Sequence, residues 1–218
     1  MKKHIPNFLT CVNLAIGCVG IYYTLTGQEI SAFYFVIAAG LFDFFDGFAA
    51  RMLKVQSEIG KQLDSLSDLV SFGLLPSFFM LSWLQGSSDY FWIAIVIAVF
   101  SAIRLAIFNI DESQSDSFKG LPTPANAIML TSLIFLPFEI YEYTLISICI
   151  FSAIMLVSPV RLIALKFSSA RWKGNEDRWV LILGVLTLLI VFQWTSLPYL
   201  IPFYILVSVV SFVARFTR

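Results

Sequence analysis

Little in this chain could face water or act as a side-chain nucleophile. Only 13% of its 218 residues are charged, against about 25% in an ordinary soluble domain. Histidine occurs once, at His4, and reads as an interfacial residue rather than a catalytic base. The three cysteines, Cys11, Cys18 and Cys149, lie inside apolar runs at spacings that suit neither a zinc site nor a disulfide framework. Lys and Arg (14) balance Asp and Glu (14), so bulk charge names no partner and nucleic acid is not expected. No internal repeat, low-complexity tract or linker divides the sequence, so residues 1–218 read as one domain. The basic start MKKHIPNFLT is not followed by a small-residue cleavage site, so no signal peptide is expected. These scarcities exclude a soluble enzyme, a disordered chain and a free nucleic-acid binder.

What the chain has instead is apolar surface. Hydrophobic residues make up 59%, and 22 residues are Phe. A membrane-spanning helix needs about 20 mostly apolar residues. Eight such runs can be drawn, at roughly 8–27, 31–53, 60–84, 90–109, 122–138, 143–165, 179–195 and 198–214. Gly27, Gly86, Pro137 and Pro198 fall at or near the gaps. The predicted fold class is all-α, a polytopic membrane helix bundle with the last two helices (about 179–214) peripheral.

Every basic residue falls on alternate connections or at a terminus: Lys2 and Lys3; Arg51, Lys54 and Lys61; Arg104 and Lys119; Arg161, Lys166, Arg171, Lys173 and Arg178; Arg215 and Arg218. The other connections carry Glu29, Asp89, Glu139 and Glu142 and no Lys or Arg. The positive-inside rule therefore predicts that both termini and the basic connections are cytoplasmic. Trp83, Tyr90, Trp92, Tyr141, Tyr143, Trp194 and Tyr199 cluster near the acidic connections, as an interfacial aromatic belt does.

Four aspartates interrupt this pattern. Asp43 and Asp46 lie in the second run, three apart; Asp64 and Asp68 lie in the third, four apart. Both spacings put a pair on one helix face. The short connection makes the two helices antiparallel, so the carboxylates can converge near the cytoplasmic surface. An ionisable residue within a span marks a functional site by default. Four acids sharing a pocket must either be partly protonated or hold divalent ions, and carboxylate oxygens suit Mg²⁺ or Mn²⁺. Two such ions can clamp a phosphoryl group. Arg51 suits a phosphate, and Gly47 and Ala50 leave the helix surface bare beside the acids. A proton relay, polar helix packing or an ion-coupled transport site are the alternatives, although transport would favour the broken helices and repeats that are not seen here.

The spacing Asp43, Asp46-Gly47, Ala50-Arg51, Gly60, Asp64, Asp68 resembles the signature of the CDP-alcohol phosphatidyltransferase family at every position. The lead-in Pro6-Asn7-Phe8-Leu9-Thr10 resembles that family's Pro-Asn-x-x-Thr segment. RLAIFNI (104–110) and FKGLPTPANA (118–127) resemble the bacterial and archaeal branch that joins CDP-diacylglycerol to L-serine. The resemblance covers most of the first 130 residues; the last two runs match only by hydropathy.

The resemblance implies that two divalent cations, Mg²⁺ or Mn²⁺, are held by Asp43 and Asp64 (both ions), Asp46 (the first) and Asp68 (the second), with Asp68 doubling as general base. It further implies that Gly47, Arg51 and Ser57 line the CDP site, that Asn7 and Thr10 contact the nucleotide, and that the chain forms a homodimer in the lipid bilayer. The serine carboxylate needs a cation. Arg104, Asn109 and Lys119 are the candidate acceptor residues, the alternative for Arg104 and Lys119 being ordinary topology anchors. The polar segment Asp111–Ser117 could gate the site, and the basic run Arg161–Arg178 could attract anionic headgroups. A phosphate-bearing acceptor, such as glycerol 3-phosphate or inositol phosphate, would call for more Arg beside the acids than the chain offers. An ether-lipid donor fits the signature equally well.

Overall fold

A computed structural model describes residues 4–55, 57–86, 88–110, 118–163 and 175–216. The candidate gating loop Asp111–Ser117, Lys2, Lys3, Arg218 and the middle of the basic run, 164–174, lie outside these residues.

Among the described residues the chain is a helical bundle of eight apolar segments: α1 (His4–Leu25), α2 (Ile30–Leu53), α3 (Glu58–Gln85), α4 (Phe91–Ile110), α5 (Thr123–Phe135), α6 (Glu142–Val157), α7 (Glu176–Phe192) and α8 (Leu197–Phe216). By length and composition α1, α2, α3, α4 and the α7–α8 stretch can cross a membrane, whereas α5 and α6 are shorter apolar helices. This is an integral membrane protein. The only sheet among the described residues is a two-residue antiparallel ribbon, β1 (Phe118–Lys119) with β2 (Arg161–Leu162), joining the connection before α5 to the one after α6.

Two helices stop short of the hydropathy run, and proline is the reason in both. The run 122–138 ends as α5 at Phe135, with Leu136 extended (ψ 138°) before Pro137. The run 143–165 ends as α6 at Val157, with Ser158 extended (ψ 149°) before Pro159. The ring of a proline pushes the preceding residue out of the helical region. Residues 161–162 then pair as a strand rather than continue the helix.

The bundle is centred on α3. Its Phe72, Leu75, Phe79, Met80 and Leu84 are fully buried, while much of α7 and α8 remains exposed. Within a bilayer that exposure is lipid-facing and needs no protein partner. α1 closes on α3 through glycine. A Cβ at Gly17 would collide with the backbone of Ser71, and one at Gly20 with Phe35 and Leu75. Small residues of this kind let membrane helices approach closely. Two serines exploit the approach: Ser67 Oγ donates to the Thr10 carbonyl (3.1 Å) and Ser71 Oγ to the Asn13 carbonyl (3.0 Å).

A π-helical turn, Leu69–Leu74, interrupts α3 directly after Asp68. Pro76 provides the cause. It has no N–H for the Phe72 carbonyl, and its ring would press on that carbonyl in a regular helix. Widening the preceding turn relieves the clash, and such π-turns recur at functional sites. At the far end of α3, Ser82 Oγ (3.0 Å) and Trp83 Nε1 (2.7 Å) both donate to Glu29, pinning the start of α2. Tyr90, Trp92, Tyr141, Tyr143, Trp194 and Tyr199 are exposed at that end, as the aromatic belt requires.

Candidate metal and nucleotide site

The site forms where α2 ends and α3 begins. α2 stops because Lys54 adopts a left-handed conformation (φ 53°), its N–H turning back to the carbonyls of Ala50 and Arg51. The chain then reverses within a few residues. Ser57 is extended, and its Oγ accepts the N–H of Gly60 (3.0 Å), capping α3. Gly60 leaves room for α1: a Cβ there would stand 3.1 Å from both Asn7 Oδ1 and Ser57 Oγ. Three segments thus meet at one corner.

This arrangement brings three of the four expected acids together. Asp43 from α2 and Asp64 and Asp68 from α3 each offer an oxygen, all within 4.8 Å of one another. Two like charges about 4 Å apart repel by roughly 4 kcal/mol at an effective dielectric of about 20. A cluster this tight must share protons or take up a counter-charge. Asp68 Oδ1 is buried and has no hydrogen-bond partner, an orphaned acceptor of the kind a hard cation satisfies. The donor set is therefore one that fits Mg²⁺ or Mn²⁺.

The fourth acid is placed differently. Asp46 is only 5% exposed, and its Oδ2 accepts a 2.6 Å hydrogen bond from Thr10 Oγ1. Thr10 is itself buried, with its hydroxyl also 3.0 Å from the Pro6 carbonyl.

Beside the acids lies a cavity of about 550 Å³, whose lining includes Asn7, Thr10, Asp46, Gly47, Ser57 and Asp64. Six residues expected at a nucleotide or metal position therefore share one cavity. Arg51 stands over Gly47, its guanidinium 3.5 Å from where a Cβ would be. Glu58 and Lys61 line the same cavity and were not anticipated. Both flank the signature positions and read from sequence only as parts of a charged turn.

The acceptor candidates are more spread out. Arg104 is 6% exposed. Its Nε donates to the Leu121 carbonyl (2.6 Å), its guanidinium stands 5.7 Å from the Phe108 ring centre, and it lies within electrostatic reach of Asp68. Asn109 bonds the first turns of α3: its Nδ2 donates to Ser65 Oγ (2.8 Å), and its carbonyl accepts from Lys61 Nζ (2.8 Å). Lys119 is on the ribbon, opposite Arg161.

Comparison with known proteins places the whole chain among lipid-synthesising enzymes. A CDP-diacylglycerol–serine O-phosphatidyltransferase of Helicobacter pylori is 28% identical over 94% of this chain and 89% of its own length. One of Bacillus subtilis is 35% identical over 61% of this chain and 76% of its own. An archaetidylserine synthase of Methanothermobacter thermautotrophicus is 31% identical over 59% of this chain and 56% of its own. Residues 3–158, which contain the acids and the cavity, match the CDP-alcohol phosphatidyltransferases, and the chain belongs to that family.

Proposed function

We propose that the protein transfers the phosphatidyl group of CDP-diacylglycerol to the hydroxyl of L-serine, giving phosphatidylserine and CMP. The observation that carries this reading is the convergence of Asp43, Asp64 and Asp68 beside a cavity lined by Asn7, Gly47 and Ser57. The names of the relatives support serine as acceptor and CDP-diacylglycerol as donor. Two divalent cations would be held by Asp43 and Asp64 jointly, with Asp46 on the first and Asp68 on the second. When bound, they supply positive charge to the diphosphate of the donor.

The remaining chemistry belongs to the chain. Asn7, Gly47 and Ser57 shape the cavity for the nucleotide half, and the Arg51 guanidinium meets a phosphate oxygen there. Arg104 is the candidate for the serine carboxylate, because the Leu121 bond fixes its plane and a guanidinium binds a carboxylate bidentately. Asn109 and Lys119 complete the acceptor side. Asp68 takes the proton of the serine hydroxyl as its oxygen attacks the β-phosphorus. The bond from that phosphorus to the bridging oxygen breaks, and CMP leaves. A well-placed general base contributes roughly 10²–10⁴-fold.

The basic end of the bundle is proposed to face the cytoplasm, where serine is available, and the chain is proposed to work as a homodimer, which crosslinking in native membranes tests. The archaeal relative supports an ether-linked donor as a second reading.

The deciding experiment measures CMP released from CDP-diacylglycerol with L-serine, glycerol 3-phosphate or inositol phosphate, with and without a chelator. Release is expected with serine alone and only when Mg²⁺ or Mn²⁺ is present. Release with another alcohol, or undiminished release after full chelation, overturns the reading, and solute transport without CMP release removes the enzymatic one.

A further inference from the structure

Asp46 is a signature acid that does not sit in the three-carboxylate cluster. It lies one helical turn beyond Asp43, it is buried, and its Oδ2 is occupied by Thr10 Oγ1 at 2.6 Å. A free aspartate rotates about two side-chain bonds. This one is held by a hydroxyl from a different helix. Thr10 is fixed in turn. It is 3% exposed, and its own carbonyl accepts Ser67 Oγ at 3.1 Å. Ser67 immediately precedes Asp68 in the chain and is fully buried. The sequence of contacts Asp46–Thr10–Ser67 therefore links the acid-bearing turn of α2 to the acid-bearing turn of α3 through the backbone of α1.

We infer that Thr10 is a positioning residue for the metal site, orienting Asp46 so that its other oxygen, Oδ1, is the one presented to a cation. The inference rests on the reading of the four aspartates as metal ligands. It departs from the role implied for Thr10 by resemblance, a contact with the nucleotide. The hydroxyl is committed to Asp46 and to the Pro6 carbonyl at 3.0 Å, within a side chain almost closed to solvent. A residue that orients a ligand by hydrogen bonding typically affects metal affinity by about 10- to 100-fold.

The two roles separate when no nucleotide is present. Mn²⁺ binding to the purified protein in detergent, without CDP-diacylglycerol, is followed by the loss of the free-ion paramagnetic resonance signal. Thr10→Val keeps the shape and removes the hydroxyl, and is expected to weaken Mn²⁺ binding by about 10-fold or more. Thr10→Ser keeps the hydroxyl and is expected to restore wild-type affinity, which a loss through misfolding would not allow. Because Thr10 acts through Asp46, adding Thr10→Val to Asp46→Asn is expected to weaken binding no further, the mark of two residues in one interaction. Equal Mn²⁺ affinity in wild type and Thr10→Val, with only the KM for CDP-diacylglycerol raised, overturns the inference and returns Thr10 to the nucleotide. Additive effects in the double variant overturn it as well. Failure of the wild type to bind Mn²⁺ at all is a different result, and overturns the metal reading itself.

Discussion

Asp68 and Asp46 show how two acids of one signature are prepared for different tasks. The Oδ2 of Asp46 already has a partner in Thr10. Asp68 keeps an oxygen, Oδ1, that is buried and bonded to nothing, beside a buried arginine. The first is held still and the second is left with capacity to accept a proton. Asp68→Asn preserves shape but removes the proposed base, so turnover is expected to fall by roughly 10²-fold or more. CDP-diacylglycerol binding, measured by equilibrium dialysis of a labelled donor, is expected to persist. A parallel loss of binding and rate would assign Asp68 to ground-state binding alone. The aspartates were legible in the sequence because charge stands out against apolar neighbours and their three- and four-residue spacings fix a helix face. The Thr10–Asp46 bond was not, because residues 36 positions apart meet only when α1 packs against α2.

Among the helical elements, the interface between α1 and α3 holds the site square. Gly17 leaves space for the Ser71 backbone, and Ser67 and Ser71 donate to α1 carbonyls three residues apart. Polar contacts between membrane helices contribute about 0.6 kcal/mol on average and up to about 1.7. Ser71→Ala is therefore expected to lower thermal stability in detergent by about that amount without abolishing CMP release. Gly17→Leu, which drives a side chain into the Ser71 backbone, is expected to lower both stability and Mn²⁺ affinity. Wild-type Mn²⁺ binding by the Gly17 variant would show that α1 is not part of the site. Hydropathy located every one of these helices, but it carries no information on helix type, so the π-turn at Leu69–Leu74 stayed hidden although Pro76 was in view. The early ends of α5 and α6 were readable from Pro137 and Pro159. Hydropathy ran past both because the residues beyond them remain apolar.

For the molecule as a whole, metal and fold should depend on each other. The three clustered carboxyl groups come from two helices, α2 and α3, that an ion would tie together. A ligand that binds only the folded state stabilises it by about 2.7 kcal/mol at 100 times its dissociation constant. Saturating Mn²⁺ is expected to raise the melting temperature of the wild type and to do so far less for Asp64→Asn. An identical rise in both would place the ion elsewhere. Fold class and helix order were fully legible, since a bilayer permits few alternatives for eight apolar segments. The β1–β2 ribbon was not, as two residues per strand leave no periodicity to detect.

The brevity of α6 has a consequence for the lipid around it. Its 16 residues span about 24 Å at 1.5 Å per residue, against a hydrocarbon thickness of about 30 Å. Ile150, Phe151 and Ile154 on this helix are exposed and suit contact with acyl chains. A helix too short for its surroundings draws the two leaflets toward each other. The membrane is thus expected to be dented along one flank of the bundle, and hosts with longer or stiffer chains would resist the dent, making the thickness of the surrounding film a setting on the protein's stability.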